Sequence, residues 1–194
     1  MIAAIILAAG QSTRMGCPKM ILPWGQTSVI GQVVNTLATA GVGHIVAVVG
    51  GVHDKVETAL QGLPVKLVYN PRYVEGDMLL SFQIGLSALE EQFEAALLAL
   101  GDQPQVESQV VQDILTTYQM THAPLVVPSY RMRRGHPWLL ARSLWQAIFD
   151  MQPPSTLRDF LNTHASQIHY LPVDTGTVLQ DLDTPEAYNR SRPE

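Results

Sequence analysis

The chain has 194 residues, is 46% hydrophobic and carries a formal net charge of −5 at pH 7. That is enough apolar material for one folded domain and too much for a disordered chain, while the acidic balance disfavours a nucleic-acid binder but leaves room for one local basic loop around a nucleotide. The lone cysteine, Cys17, excludes a disulfide framework and a cysteine zinc site, and the apolar start, 1–9, is too short to span a bilayer and lacks a basic flank, so a cytoplasmic protein without membrane contact is expected.

In chain order, Ile2 to Leu7 reads as a first buried strand. It runs straight into LAAGQSTRMGCPK, Leu7 to Lys19. Gly10 and Gly16 permit conformations other residues resist. Ala8, Ala9 and Ser12 keep bulk away from whatever lies on the loop, and Arg14 and Lys19 add two fixed cations. A strand that opens into a small, glycine-bearing, basic loop is a cradle for phosphates, because N–H groups and cations converge on one anion. The spacing is not that of a Walker A loop, since five residues separate Gly10 from Gly16 and Cys17 follows. Gln11-Ser12 breaks the dinucleotide fingerprint.

Ser28 is placed to cap a helix with Val29, Val33, Leu37 and Ala40 on one face, closed by Gly41 and Gly43. A strand is expected over 44–49, a helix over 52–60 and a strand over 65–69 that breaks at Asn70-Pro71. A helix over 78–93, a doubly buried strand over 95–100 and a helix over 108–120 follow. The spacing then predicts a strand over 124–127 ended by Pro128, helices over 139–149 and 157–164 joined at Pro153-Pro154, a strand over 168–171 and a short last helix over 184–190. This alternation implies a single α/β domain, 1–194, with a doubly wound, Rossmann-like, mostly parallel sheet covered by helices on both faces. Ligands on such sheets sit at the carboxyl ends of the strands.

Chemistry-bearing residues cluster just after those strands. Gly101-Asp102-Gln103-Pro104 follows the strand 95–100, which would put the Asp102 carboxylate in the crevice of the first loop, where Mg²⁺ shares a triphosphate with one or two carboxylates. Taken alone, an Asp in a turn before a helix explains it as well. In Asp181-Leu182-Asp183-Thr184-Pro185-Glu186, a helix start accounts for Thr184 as cap and Pro185 as first residue but not for the two aspartates. Glu75 to Ser81 reads as a loop entering a helix that Asp77 could cap, and Tyr130 to Pro137 holds three arginines before Gly135-His136-Pro137. A solvated surface loop explains those arginines; so does recognition of a phosphate by guanidinium groups. The remaining histidines show no metal-ligand spacing.

The first loop resembles the signature loop of the nucleotidyltransferases related to MobA and MocA and fills each of its fixed positions, Leu7, Ala8, Ala9, Gly10, Ser12, Arg14, Met15, Gly16 and Lys19. The resemblance extends through G-D-Q-P at Gly101–Pro104, the D-x-D-T-P-E run at Asp181–Glu186 and G-H-P at Gly135–Pro137, in the family's order. It implies direct in-line attack of a phosphorylated acceptor on the α-phosphate of a nucleoside triphosphate, with release of pyrophosphate. By this resemblance Leu7, Ala8, Ala9, Gly10, Ser12, Arg14, Lys19 and Ser81 hold the nucleotide, and Arg14, Lys19 and Asp102 are catalytic. Asp102 with Asp181 or Asp183 binds Mg²⁺, and Arg133, Gly135, His136 and Pro137 face the acceptor. Strand alternation puts Asp181 and Asp183 on one side, and the second use of Asp183 at the helix start favours Asp181.

Ala9, and Pro18-Lys19 running into Leu22-Pro23-Trp24, resemble the branch that uses CTP and molybdopterin, with a molybdoenzyme or its chaperone as protein partner; the guanylyltransferase branch is the alternative. The copy departs from the family in two places. Glu75 to Ser81, after Asn70-Pro71, resembles the family's N-P…G-M-x-x-S-L segment near the nucleotide's base and ribose, but Asp77 stands between Gly76 and Met78 and Phe82 replaces the usual Leu. Of the usual G-D-x-G-A-R segment only Arg158 survives, in Asp150 to Arg158. The second departure lies in the acceptor region and leaves the pterin acceptor open, whereas the nucleotide chemistry is unaffected; a sugar-phosphate or polyol-phosphate acceptor is the rival, and Gly135-His136-Pro137 speaks against it. A nucleotide-binding regulatory module without turnover is the reading from another class; retention of Lys19, Asp102 and the acidic pair speaks against it.

Overall fold

A computed structural model of the chain describes residues 1–10, 15–75 and 78–193. Ser12 and Arg14, and the Gly76-Asp77 step, lie outside the described residues. The strands are β1 (Ile2–Ala8), β2 (Pro23–Trp24), β3 (Thr27–Ser28), β4 (Ile45–Val49), β5 (Lys66–Tyr69), β6 (Ala95–Leu100), β7 (Leu125–Tyr130), β8 (Arg133–Arg134), β9 (Trp138–Ala141) and β10 (Ile168–Pro172). The helices are α1 (Val29–Thr39), α2 (His53–Ala59), α3 (Met78–Ser87), α4 (Ser108–Thr121), α5 (Trp145–Phe149), α6 (Leu157–Thr163) and α7 (Pro185–Ser191). None of the described helices is long and apolar enough to cross a membrane.

The main sheet runs β10-β7-β9-β6-β1-β4-β5, with β8 folded onto β7. β1 lies between β4 and β6 and is parallel to both, with Leu7 in register with Val48 and Leu100. Its side chains alternate between two buried layers. Ala4, Ile6 and Ala8 pack on the layer that holds Ile30, Val34 and Leu37 of α1 and Val110 and Ile114 of α4. Ala3, Ile5 and Leu7 pack on the layer with Phe82 and Leu86 of α3, Ile148 of α5 and Phe160 of α6. Burial on both faces is why β1 and β6 read as continuous apolar runs. The doubly wound α/β expectation holds.

Gly85 of α3 is where helix and sheet come closest. A Cβ there would collide with Ile5 Cγ2 and lie 3.1 Å from Val48 Cγ2, at the sheet centre. Gly85→Leu is therefore expected to lower stability by about 1–3 kcal/mol or more through overpacking, read as a lower urea midpoint with an unchanged slope.

Three expected elements differ. The helix over 139–149 is instead β9, a short 3-10 turn and then α5. Trp138, Leu139 and Leu140 are almost wholly buried, and β9 fills the gap between β6 and β7, antiparallel to both. A short apolar run buried on two faces has no period that separates strand from helix. The helix from Met78 ends at Ser87, where the Leu89 N–H bonds back only three residues, to the Leu86 C=O. β7 continues through Pro128 to Tyr130, because Pro128 lies beyond the two-residue ladder with β9 and so interrupts no bond there. Arg131 and Met132 then turn the chain with φ of 48° and 64°, and β8 returns. Two consecutive left-handed residues are the signature of a tight two-residue hairpin.

Candidate active site

The site forms where the carboxyl ends of β1 and β6 meet, beside the β1–β4 pair. Gly101 N–H donates to the Leu7 C=O at 3.0 Å, which seats the turn after β6 on the start of the first loop. A Cβ on Gly101 would lie 3.0 Å from Met20 Sδ and 3.1 Å from the Leu7 oxygen, so the close approach suits glycine. Ala8 and Ala9 are buried and Gly10 is exposed, with no atom of the described residues within 4 Å of a Cβ built on it. The chain thus surfaces at Gly10. Gly16 has φ +65°, in the region that favours glycine.

Lys19 opens a single 3-10 turn, Lys19–Ile21, and is 8% exposed. Its Nζ donates to Asp102 Oδ2 at 2.5 Å and to Asp183 Oδ1 at 3.0 Å. Burial pulls the Lys19 pKa down, but the Asp102 charge, aided by the hydrogen bonds to Asp102 and Asp183, outweighs it and the net shift is upward. Lys19 is therefore cationic at neutral pH.

Asp183 reaches this point because the chain before α7 is pinned. Leu182 is fully buried with Met15, Trp24, Val29 and Tyr188, and its N–H donates to the Asp102 C=O at 3.1 Å. Tyr188 of α7 donates its hydroxyl to the Pro23 C=O at 2.6 Å. Thr184 caps α7 by accepting the Ala187 N–H, with Pro185 at the first helical position as expected. Asp181, on the other side of Leu182, accepts from Gln103 Nε2 at 2.7 Å. Burial raises the Asp181 pKa, against the Gln103 bond and with help from the Asp102 and Asp183 charges. So the structure joins Asp183, not Asp181, to Asp102 through a shared cation. Gln103 is 4% exposed, and its Oε1 has no partner among the described residues.

Gly135-His136-Pro137 approaches from β8. Gly135 N–H donates to the Pro128 C=O at 2.8 Å and His136 N–H to the Val178 C=O at 3.0 Å. Burial depresses the His136 pKa from 6.5 to about 4, and the Asp102 charge only partly opposes this, which places the imidazole in reach of that carboxylate's field. His136 is neutral at physiological pH. As pH falls below 6.5 the unfolded chain takes the proton first while the folded one resists until about 4, so stability falls across that window. The wild type is expected to lose on the order of 2–3 kcal/mol more than His136→Gln between pH 7 and pH 4 in urea titrations.

Arg133 is exposed on β8, in register with Tyr130. Arg131 stacks on Tyr130, its guanidinium 5.1 Å from the ring centre. Arg134 is tied down by Tyr170 Oη at 2.8 and 3.0 Å and by Asn162 Oδ1 at 2.7 Å. Ser81 is buried and its hydroxyl accepts from Asn70 Nδ2 at 3.0 Å, while Asn70 Oδ1 accepts the Arg72 N–H. Asn70 and Ser81 together shape the turn after β5. In the sequence Asn70 reads as a strand breaker and as part of the family's N-P segment, without its bond to Ser81. Gln103, Leu182, Tyr170 and Asn162 carry no sequence signal beyond their neighbours in motifs.

Among the described residues no cluster of three or more His, Cys, Asp or Glu could hold a metal ion. The Asp102–Asp183 pair nevertheless fits a hard divalent cation that takes its other oxygens from water and phosphate. Both are oxygen donors, and they already share one cation at 2.5 and 3.0 Å.

A family model described as the MobA-like NTP transferase domain matches residues 4–168. The molybdenum cofactor cytidylyltransferase of Escherichia coli K12 is 26% identical over 189 residues, 96% of this chain and 93% of that protein. The bifunctional protein GlmU of Agrobacterium fabrum is 37% identical over 110 residues, 54% of this chain; the chain spans only 24% of that relative's length. Among solved structures, Rv0371c from Mycobacterium tuberculosis H37Rv superposes with TM-score 0.86 at 26% identity, over 97% of this chain and 96% of that one. Rv0371c has also been solved as a complex with manganese, TM-score 0.77, over the same shares of the two chains. With Lys19, Asp102 and Asp183 brought together beyond the carboxyl ends of β1 and β6, and a family match over most of its length, this chain is a nucleotidyltransferase and belongs to the MobA-like NTP transferase family.

Proposed function

We propose that the enzyme transfers CMP from CTP to the phosphate of a molybdopterin acceptor, with Mg²⁺, and releases pyrophosphate. The observation that carries this reading is the meeting of Lys19, Asp102 and Asp183 with the G-H-P turn. The similarity to a molybdenum cofactor cytidylyltransferase over nearly both chains supports the choice of base and acceptor. Ala8 to Gly10 and Ser12 line the triphosphate with backbone and small side chains, and Arg14 and Lys19 neutralise charge on its oxygens as the α–β bond breaks. Asp102 and Asp183 hold the divalent ion, which supplies Lewis acidity to the phosphate oxygens when bound. The neutral His136 presents an uncharged face toward the acceptor side. Residues 1–194 act as one cytoplasmic domain, and a molybdoenzyme or its chaperone receives the product.

A second acceptor class, a sugar or polyol phosphate, is favoured by one feature. The run Asp150 to Arg158, broken by Pro153-Pro154, departs from the family where the acceptor binds. Pyrophosphate release with Mg²⁺ and CTP, GTP or ATP, against molybdopterin in metal-free and molybdenum-loaded forms, separates these readings. Release with CTP and molybdopterin is expected. Release only with a sugar or polyol phosphate would replace the acceptor, and release only with GTP would replace the base.

A further inference from the structure

We propose that Lys19 is the resident counter-ion of the metal site: it holds Asp102 and Asp183 together and must leave for a divalent cation to enter, so that metal alone binds weakly and metal with triphosphate binds strongly. This rests on the reading that the Asp102–Asp183 pair is the metal site.

The geometry is a three-centre ion cluster. Lys19 Nζ is 2.5 Å from Asp102 and 3.0 Å from Asp183, with side-chain exposures of 10% for the lysine and 17% and 33% for the acids. Screening by solvent is weak for such partly buried groups. Two carboxylates drawn to one point repel each other unless a cation lies between them, and here the chain supplies its own. These three groups together carry one net negative charge. Adding a divalent ion while the ammonium stays would make the sum positive and force two cations against each other in a partly buried site.

The lysine therefore competes with the metal for the same oxygens. Among the described residues, Asp181 is turned to Gln103 Nε2 rather than to the ammonium. What can draw Lys19 away is an anion on its own loop. Lys19 stands three residues after Gly16, at the end of the phosphate cradle, on a side chain with four rotatable bonds. A triphosphate seated on that loop gives the ammonium new oxygens while the metal takes over the carboxylates. Metal and nucleotide then favour each other's binding by the same factor. The arrangement also lets the enzyme fold with half the charge of its acidic pair offset, before any metal is bound.

The test uses Mn²⁺ alone as the probe, followed by electron paramagnetic resonance of the free ion, on the full chain without nucleotide. Lys19→Met is expected to bind Mn²⁺ on the order of tenfold or more tighter than wild type, and Lys19→Arg, which keeps the cation, is expected to stay near wild type. Equal affinity in wild type and Lys19→Met overturns the proposal. A readout on the wild type itself covers the case in which Lys19→Met does not fold. Acylation of Lys19, followed by mass spectrometry, is expected to rise when saturating Mn²⁺ displaces the ammonium; unchanged protection overturns the proposal. Adding Asp102→Asn to Lys19→Met is expected to abolish the gained affinity. If the gain survives, the metal sits elsewhere and the metal assignment itself fails, whereas equal affinity with a working Asp102-dependent transferase removes only the role of Lys19.

Discussion

Asp102→Asn is expected to lower nucleotidyl transfer on the order of 10³-fold while leaving the fold in place. The two effects separate because Asp102 holds the structure with its backbone and the chemistry with its side chain. Its C=O accepts the Leu182 N–H, and the preceding Gly101 N–H binds the Leu7 C=O; neither bond involves the carboxylate. The amide still offers Lys19 an oxygen, and Lys19 keeps Asp183. The cost in stability is then that of weakening one charge-assisted hydrogen bond, about 1–2 kcal/mol. The loss in activity is larger, because a neutral amide is a poor ligand for a hard cation and metal stabilisation of the transferring phosphoryl group amounts to several kcal/mol, at about 1.4 kcal/mol per factor of ten. Pyrophosphate release and urea denaturation measure the two effects separately. Near-normal turnover would remove Asp102 from the metal site. Asp183→Asn is expected to act in the same direction. Asp181→Asn is expected to act least, since an amide oxygen preserves the bond from Gln103.

Those rankings could not be read from the chain alone. The motif Asp181-Leu182-Asp183 places both acids near the crevice but gives them equal standing. Their division follows from Leu182, whose burial and bond to the Asp102 backbone fix the segment so that one acid faces Lys19 and the other Gln103. That is a contact between residues 80 positions apart, and local pattern is blind to it. The same blindness explains Arg134, whose partners Asn162 and Tyr170 lie 28 and 36 residues away. By contrast β1, β6 and α1 were legible from local rules. The two strands are apolar runs bounded by loop residues, and Ser28 accepts the Gly31 N–H at the start of α1 as its position suggests. The family was legible because Leu7 to Lys19 fill the fixed positions of its signature loop, and the family model matches residues 4–168. The stretch 138–141 was not, because a doubly buried strand and a buried helix of that length look alike in sequence.

Gly135→Ala is expected to weaken use of the acceptor far more than binding of the triphosphate. The reason is steric, since Gly135 is not among the residues with positive φ. A Cβ there would lie 2.6 Å from Val178 Cγ2, 2.7 Å from its Cβ and 2.7 Å from its carbonyl oxygen. A side chain could rotate away, but that oxygen is held by the His136 N–H at 3.0 Å, and Val178 is fully buried. Either the G-H-P turn or the 176–179 turn must therefore shift. The strain is expected to lower stability by about 1–3 kcal/mol. The displacement falls on His136 and Pro137, the side of the site proposed for the acceptor. A shift approaching 1 Å in a positioned group costs on the order of 100-fold in rate, so kcat/KM for the acceptor should fall about 10- to 100-fold. The first loop is carried by β1 rather than by the 176–179 turn, so calorimetric affinity for Mg²⁺ with a non-hydrolysable triphosphate should stay within about twofold, as expected for independent sites. An unchanged acceptor KM would remove the G-H-P turn from the acceptor site. A parallel loss of triphosphate affinity would show instead that this turn and the phosphate loop move as one unit.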